Sequence, residues 1–467
     1  MCPRVPMLLL LLCFLSGLPA RAMDAWAAPV PTVAQRYVDE ALRQNLALQA
    51  QALDLAEARA RLAEVSGALQ PRLDLVARYS MADGGRTIDI PVGDLLNGVY
   101  RTLNEYLLTQ GRAPAFPQLE NQAIPLLRAR EQETKLRLVQ PLYRPELTRG
   151  IAAARAAAES RDAQLAAYRR ELRLAVLTAY HTYLQAETAV EILDSATAVT
   201  AEAVRTNRLL AEVDKVTEDR VLRAEADELA VRQQRVEAER DRNAARAYFN
   251  FLLNRPLATE IERASEAELQ ALVQTLTGAE LPSLATDRRE ELLALQRRVQ
   301  ATEAAEQSAA AKLRPTLALA VEGGVQGTEY RTGGGNNFVQ GSLVAEWNLW
   351  DGRQRRSELE QARITRRRAE LEQDVVRQQL ALQLQRAQDD YRAAWAAYQS
   401  AERRGAAATR AFEIVAQRER EGMVAQLSFL DARNERTRAD LNRAITQHRL
   451  FIAAAALDRA AALSPLP

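Results

Sequence analysis

The side chains that most often perform chemistry in proteins are few and scattered in this chain. His181 and His448 are its two histidines, and each stands alone on a helical stretch. No HExxH, GxSxG or phosphate-loop motif occurs, and the stretch GTEYRTGGGNNF lacks the lysine and the following helix of such a loop. We therefore expect neither an enzyme nor a bound cofactor or metal.

The first 22 residues have the pattern of a secretory signal peptide. Arg4 precedes a short apolar run, and a small-x-small cleavage site ends at Ala22, with another ending at Ala27. A membrane anchor is the alternative, but the run is short for a bilayer span. Cys2 and Cys13 both lie in this segment, so the mature chain is expected to have no cysteine for a disulfide or a metal site.

Composition and charge narrow the function further. The 62 Lys and Arg residues nearly balance the 61 Asp and Glu residues, and a nucleic-acid partner is not expected because phosphate binding needs a basic surface. Ala, Leu, Gln, Glu and Arg dominate, which is typical of long helices and coiled coils. After the leader there is no run of 18 apolar residues, so a mature chain that enters a membrane would have to do so as a β-barrel.

The chain repeats its own pattern. Leu136–Tyr143 matches Leu343–Trp350, and Val216–Asp227 matches Val424–Glu435, at offsets of 207 and 208 residues. Each copy is predicted to contain a helix, a strand, a loop, a second strand, a very long helix, a turn and a return helix.

Four segments alternate between apolar and polar residues as β-strands do. The predicted strands are residues 71–81, 134–143, 314–324 and 337–350. Their length suits tilted strands of a membrane barrel, although each strand alone also fits a soluble sheet with one wet face. The side chains expected to face lipid are Leu73, Leu75, Leu136, Leu138, Leu317, Leu319, Leu343, Trp347 and Leu349.

Very long helices are predicted at residues 146–212 and 353–421, with return helices at 217–254 and 426–460. Each long helix would extend roughly 100 Å at 1.5 Å per residue, which is more than one globular core needs. Apolar residues follow one another at spacings of 3 and 4, the heptad seam of a coiled coil. In the first long helix they are Leu172, Val176, Ala179, Tyr183, Ala186, Val190 and Leu193.

The number of strands predicts an oligomer. Four strands cannot close a barrel, and an open sheet edge is not tolerated in lipid. A trimer would supply twelve strands to one barrel, and the long helices of the three copies would pack side by side as a helical tube.

Three stretches carry a resemblance to a known family, namely Arg288–Leu319, Leu343–Ala362 and Arg420–Glu435. From about Val33 to Leu463 the chain resembles the TolC-type outer-membrane efflux and secretion proteins. The resemblance implies a mainly α fold with a small β part, in which a homotrimer forms a 12-stranded outer-membrane β-barrel continued by a long periplasmic α-helical barrel.

The function implied by the resemblance is non-enzymatic. Such a protein is the exit duct of a tripartite efflux pump or a type I secretion system in a Gram-negative outer membrane, and it works with a periplasmic adaptor and an inner-membrane pump. It passes small molecules or polypeptides. The alternative is a periplasmic coiled-coil adaptor or tethering protein without a pore, but an adaptor has one helical hairpin, whereas this chain has two copies of the strand-and-rod unit.

The resemblance also places the periplasmic entrance at the two turns between long helices. The family's entrance aspartate corresponds to Asp431, the position of a second family acid is Ser428, and the equivalent residue of the first copy is Arg223. Asp431 would either join a ring of three carboxylates that attracts cations, or pair with Arg223. The tip residues expected to contact the adaptor are Lys215, Val216, Thr217, Gly422, Met423, Val424 and Ala425.

The first copy carries an insertion, residues 82–131, where the second copy has a short glycine-rich hairpin. Pro91 suits a helix start and Gly111 a helix end. The residues Leu95, Val99, Leu103 and Leu107 form an apolar face with a period of four. We expect this helix either to narrow the external mouth as a lid or to pack on its rim.

These elements divide the chain into a signal peptide at 1–22, a first repeat at 23–254, an equatorial linker at 255–287 and a second repeat at 288–463. In the linker, Ser265-x-x-Glu268 has the pattern of a helix capping box, so a short helix is predicted there.

Overall fold

The computed structural model describes residues 28–276 and 288–465. The predicted signal peptide and residues 277–287 of the predicted linker lie outside the described residues. In these ranges, no helix combines the length and the apolar character needed to cross a bilayer. The elements are α1 (Thr32–Gln44), α2 (Leu46–Gly67), β1 (Arg72–Met81), β2 (Thr87–Ile90), α3 (Val92–Thr109), β3 (Gln122–Pro125), β4 (Arg130–Tyr143), α4 (Pro145–Glu212), α5 (Glu218–Leu252), α6 (Glu266–Leu276), α7 (Glu290–Ala311), β5 (Thr316–Gly327), β6 (Asn337–Glu346), α8 (Gln354–Arg420) and α9 (Gln426–Ala461).

The chain divides into two compact units. One contains residues 58–157 and 300–368 and holds every described strand. Its main sheet has four antiparallel strands in the order β1-β4-β5-β6, so that β1 and β6 are the edges. A separate two-stranded hairpin joins β2 and β3.

The register of the main sheet sorts the side chains onto two different faces. Leu73 pairs with Leu138, Leu75 with Leu136, and Leu319 with Leu343. Because side chains alternate along a strand, these leucines share one face. The neighbouring positions put charged side chains on the other face, so the sheet has an apolar and a charged side.

Ion pairs connect three strands on the charged face. Glu133 Oε2 lies 3.2 Å from Arg78 Nη2, and Lys135 Nζ lies 2.9 Å from both Glu133 and Glu322. Arg137 Nε lies 3.0 Å from Glu322 Oε1. This face of the sheet is expected to contact water, because transferring an ion into lipid is costly.

Gly324 lies beside this network, where β4 and β5 approach each other closely. It lies opposite Lys135 in the register of β4 and β5. A Cβ at Gly324 would lie 2.2 Å from Thr134 O and 2.6 Å from Lys135 Cα, which are main-chain atoms. The absence of a side chain at this position therefore permits the close approach of the two strands.

The other compact unit contains the described residues of 28–57, 158–299 and 369–465. Its core lies where α4 and α9 pack with α1, the end of α5 and α6. The buried residues include Tyr37, Val176, Tyr180, Phe249, Phe451 and Leu457, and the predicted seam residues of α4 from Leu172 to Leu193 are buried or half-buried.

Two tyrosine side chains of this core form hydrogen bonds with the segment that precedes α6. Tyr37 Oη accepts a hydrogen bond from the Glu262 main-chain N–H at 2.8 Å. Tyr180 Oη accepts one from the Ala264 N–H at 2.9 Å. Burial raises the pKa of Tyr180 above its usual range. The hydroxyls therefore satisfy main-chain groups at the point where the chain leaves the long helices.

Only one of the two hydrogen bonds of a capping box forms at the start of α6. Ser265 Oγ accepts a hydrogen bond from the Glu268 N–H at 3.2 Å. The Glu268 carboxylate instead accepts hydrogen bonds from Thr32 N (2.8 Å) and Thr32 Oγ1 (2.9 Å). Glu268 thus caps the first turn of α1, a partner 236 residues away that local spacing does not reveal.

Several element bounds differ from the predictions, most of all at the last strand and in the insertion. The predicted strand 337–350 ends at Glu346, so Trp347 and Leu349 lie beyond the sheet. The strand stops because its partner β5 begins at Thr316, which pairs with Glu346. Beyond this point Asn348 O accepts a hydrogen bond from Arg355 Nη2 at 2.6 Å. The insertion 82–131, predicted as a loop around one helix, also contains β2, β3 and the first residues of β4.

Candidate functional site

The turns at the two helical tips have the same backbone geometry but different residues. Gly422 ends α8 with φ +74°, and Asp214 ends α4 with φ +54°. After each, the next residue donates back across the turn: Met423 N to Arg418 O at 2.8 Å and Lys215 N to Leu210 O at 2.9 Å. This is the Schellman pattern of a helix end. In the first copy, Asp214 therefore takes the left-handed conformation that Gly422 takes in the second copy.

The tips are exposed and partly apolar. Side chains of Val213, Met423 and Leu427 are 60%, 70% and 59% exposed. The predicted adaptor-contacting residues Lys215, Thr217, Gly422, Met423 and Ala425 are exposed, and Val216 and Val424 are half-buried. Exposed apolar side chains beside charged ones are typical of surfaces that bind another protein.

The structure does not pair the two predicted entrance charges within one chain. Arg223 Nη2 lies 3.6 Å from Asp219 Oδ2, one helical turn away on α5. Asp431 is exposed on α9 and has no ion pair within the described residues. Ser428, three residues before it, is also exposed. Of the two arrangements left open by the sequence, the Asp431–Arg223 pair is absent from this chain.

A buried ion pair near the tips was missed by the sequence reasoning. Arg433 on α9 donates to the Asp227 carboxylate on α5, and the Arg433 side chain is 5% exposed. Two helical turns closer to the tip, Arg220 Nε donates to Gln426 Oε1 at 2.5 Å. These contacts join the return helices of the two copies. The signal in the sequence is the positive charge of Arg433, two positions after Asp431.

The predicted lipid-facing side chains are accessible on one face. Leu73, Leu75 and Leu343 are 63%, 70% and 66% exposed. Leu136, Leu138 and Leu319 are also exposed, and Leu317 is half-buried. Trp347 and Leu349 are exposed beyond the strand end, where Trp347 Nε1 donates to Leu313 O at 3.1 Å.

In the insertion, three polar side chains on one side of α3 bind the segment that returns to the sheet. Asn97 exchanges hydrogen bonds with the Leu119 main chain at 2.8 and 2.9 Å. Asn104 Nδ2 donates to Phe116 O at 2.6 Å, and Asn121 Nδ2 donates to Asp94 Oδ2 at 2.9 Å. We call these contacts the amide ladder.

The opposite side of α3 is apolar and exposed. Leu95, Val99 and Leu103 are 69%, 56% and 39% exposed, and Tyr106 is 62% exposed. Leu107, predicted as the fourth member, is half-buried. A strict spacing of four drifts around a helix with 3.6 residues per turn, so Tyr106 lies on this face instead.

The two histidines, predicted to be isolated, meet in the core of the helical unit. His181 on α4 and His448 on α9 have their Nδ1 atoms 3.3 Å apart, and the ring of Phe451 stacks on His181 at 4.9 Å. Burial, with the neighbouring ring, holds the pKa of His181 well below its usual value, and burial lowers that of His448 to about 4. Both rings are therefore neutral near pH 7, and one Nδ1 donates a hydrogen bond that the other accepts. Among the described residues no cluster of His, Cys, Asp and Glu suits a metal ion.

Comparisons with known proteins agree with this arrangement. Residues 281–463 match the family described as outer membrane efflux protein. A search of curated proteins gave no significant match. Among solved structures, the fold is similar to the Campylobacter jejuni CmeC outer membrane channel, with a TM-score of 0.75, 15% identity, and 92% of this chain and 85% of that chain covered.

Two further channels have similar folds. The outer membrane protein VceC of Vibrio cholerae gives a TM-score of 0.71 at 15% identity, with 92% of this chain and 98% of that chain covered. The Neisseria gonorrhoeae MtrE outer membrane channel gives 0.73 at 17% identity, with 92% and 88% covered. These matches confirm the predicted fold class. Residues 281–463 thus match the outer membrane efflux protein family, and the chain as a whole has the fold of solved outer membrane channels.

Proposed function

We propose that three copies of this chain form one transmembrane pore, which serves as the exit duct of an efflux or secretion system. The observation that carries the proposal is the four-stranded sheet, which has an apolar face, a charged face and two unpaired edges, β1 and β6. Pairing β1 of one copy with β6 of the next removes both edges. Three copies supply twelve strands, with the leucines towards lipid and the ion pairs towards water.

Asp431 is proposed as the charge that sets ion preference at the periplasmic entrance. Its carboxylate is exposed and without an ion pair in the described part of the chain, whereas the nearby charges of Arg433 and Arg223 are paired. Three such carboxylates around one axis attract cations. Because Ser428 replaces a second acid, a single acidic ring is proposed.

The two tips are proposed to bind a periplasmic adaptor, which links the channel to an inner-membrane pump. The exposed apolar side chains of Val213, Met423 and Leu427 support this assignment. Replacing Met423 with glutamate would put a charge into that contact. Copurification of the adaptor should then fall, while Arg410→Glu, at an exposed position on α8 away from the tip, should leave it unchanged.

Single-channel recording in planar bilayers tests the pore. The wild-type trimer should prefer cations, and Asp431→Arg should reduce or reverse that preference. The matched control is Glu413→Arg, at an exposed carboxylate already paired with Arg410 at 3.1 Å. If Asp431→Arg leaves selectivity and conductance as in the parent, the entrance assignment is wrong. A protein that forms no pore at all would instead support the adaptor alternative.

The insertion is proposed to act at the external mouth of the same pore. Deleting residues 89–117 removes α3 with its amide ladder and leaves the main sheet intact. A lid predicts higher conductance after the deletion. Unchanged conductance in a trimer that still assembles would show that the insertion packs on the rim without narrowing the pore.

A further inference from the structure

The insertion begins beside an edge of the main sheet. Its chain leaves β1, whose outer side is unpaired, and returns through β4. Its root is closed by a hydrogen bond from Ala82 N to Ala129 O at 3.1 Å. Any copy of the chain that pairs with β1 therefore lies immediately next to the insertion.

The amide ladder fixes which side of α3 is available. The ladder residues Asp94, Asn97 and Asn104 bind the returning segment through direct hydrogen bonds. At Gly93 a Cβ would lie 2.3 Å from Leu119 O, so the helix and this segment are in close contact. Rotation of α3 would break these bonds, and its apolar side is therefore held outward.

The outward side is a stripe made by Leu95, Val99, Leu103 and Tyr106. Residues spaced by four, four and three share one face of a helix. Large apolar side chains exposed together are characteristic of an interaction surface. The described residues of the same chain leave most of this stripe uncovered, because Leu95, Val99 and Tyr106 remain 69%, 56% and 62% exposed.

The partner edge offers a complementary surface. β6, the other unpaired edge, follows the short turn between β5 and β6, and this turn carries Tyr330 at 69% exposure. Val339, on β6 itself, is 84% exposed. When β6 of one copy pairs with β1 of the next, this short turn and the long insertion are neighbours.

We propose that the apolar stripe of α3 packs against the adjacent copy of this chain, over the turn between β5 and β6, and so clamps neighbouring copies together at the external mouth. The inference rests on the proposed trimer. It assigns the insertion a structural role in assembly that is separate from narrowing of the pore. The occupant is a second copy of this chain because the chain order places the insertion at the junction of two copies.

Photo-crosslinking tests the contact. A benzophenone amino acid at Tyr106, on the stripe, should give a covalent dimer on denaturing gels. The same group at Arg101, on the ladder side, should give none. In parallel, Leu95→Ser/Val99→Ser/Tyr106→Ser should lower the midpoint temperature of trimer dissociation, whereas Arg101→Ser should not.

Light scattering of the detergent-solubilised protein separates failure of this inference from failure of the proposed function. A trimer that crosslinks at Tyr106 only to lipopolysaccharide, or only within its own chain, overturns the inference and leaves the proposed pore. Equal dimer yields from Tyr106 and Arg101 also overturn it, because no face would be preferred. Absence of any trimer overturns both.

Discussion

The buried histidine pair predicts that the helical unit loses stability as the pH falls from 8 to 5. His181 and His448 are 2% and 3% exposed, and both are neutral in the folded chain because their pKa values are lowered. In the unfolded chain both regain an ordinary pKa near 6.5. Above that value folding does not change their proton binding. Below it the unfolded chain binds protons that the folded chain excludes, so stability is lost between 6.5 and the folded pKa.

The size of the effect follows from His448, whose folded pKa is about 4. Integrating the proton linkage from pH 8 to pH 5 for this one group gives a loss of about 2 kcal/mol. The loss approaches about 3 kcal/mol once the pH is below the folded pKa. His181 changes stability in the same direction, so the value for His448 alone is a lower bound for the pair.

The assay is guanidinium unfolding of an untagged protein, followed by circular dichroism at pH 8, 6.5 and 5. The control is His181→Gln/His448→Gln, which keeps a donor and an acceptor at the contact and removes both titrating groups. Since the chain has only these two histidines, the double variant should be nearly independent of pH over this range. Wild-type stability that stays constant from pH 8 to 5, or an equal loss in the double variant, would refute the reasoning.

Three further predictions concern packing and helix ends. Gly324→Ala puts a Cβ 2.2 Å from Thr134 O and should destabilise the sheet by more than about 1 kcal/mol, measured on gels as a lower unfolding temperature of the barrel. The control Gly341→Ala, which has no atom within 4 Å of the added Cβ, should leave the unfolding temperature unchanged. Equal effects of the two variants would contradict the close approach of β4 and β5 at Gly324. Asp214→Gly should stabilise the α4–α5 turn by up to about 1 kcal/mol, and Asp214→Val should destabilise it by a similar amount, because φ of residue 214 is positive. Hydrogen exchange of the amides at the tip measures the stability of the turn in each variant. Identical exchange in the two variants would contradict the left-handed conformation. Arg433→Leu should cost about 1–3 kcal/mol because it leaves the half-buried Asp227 carboxylate without its partner. Asp227→Leu/Arg433→Leu should recover most of that loss. Denaturant midpoints measure both, and a double variant as unstable as the single one would show that Arg433 acts by packing alone.

The fold class was predictable because two periodicities and a duplication agreed. Alternation with a period of two in the strands and spacings of three and four in the long helices each suit only one type of element. The repeat then required every element of the second copy to have a counterpart in the first. The fold comparison confirms this class, which was built from local patterns that do not depend on distant contacts.

The parts that could not be predicted depend on partners far along the chain. The strands β2 and β3 are four residues each and are joined across α3, so no tight hairpin turn marks them. The amide ladder links residues 11 to 27 positions apart. His181 and His448 are 267 residues apart. Single-sequence spacing contains no information on such pairs, and the sequence alone therefore indicates two isolated histidines.

The duplication also affects the charge proposed for the entrance, where Asp431 lies on an exposed helix. Its counterpart in the first copy is Arg223, so a trimer would bring three acids and three bases to equivalent positions near the tips. These charges would cancel if they paired, but Arg223 lies 3.6 Å from Asp219 on its own helix. Arg223 therefore has a carboxylate partner on its own helix, whereas Asp431 has no ion pair in the described part of the chain. In the proposed entrance, the balance of charge would therefore depend on Asp219, a residue of the first copy, as well as on Asp431 itself.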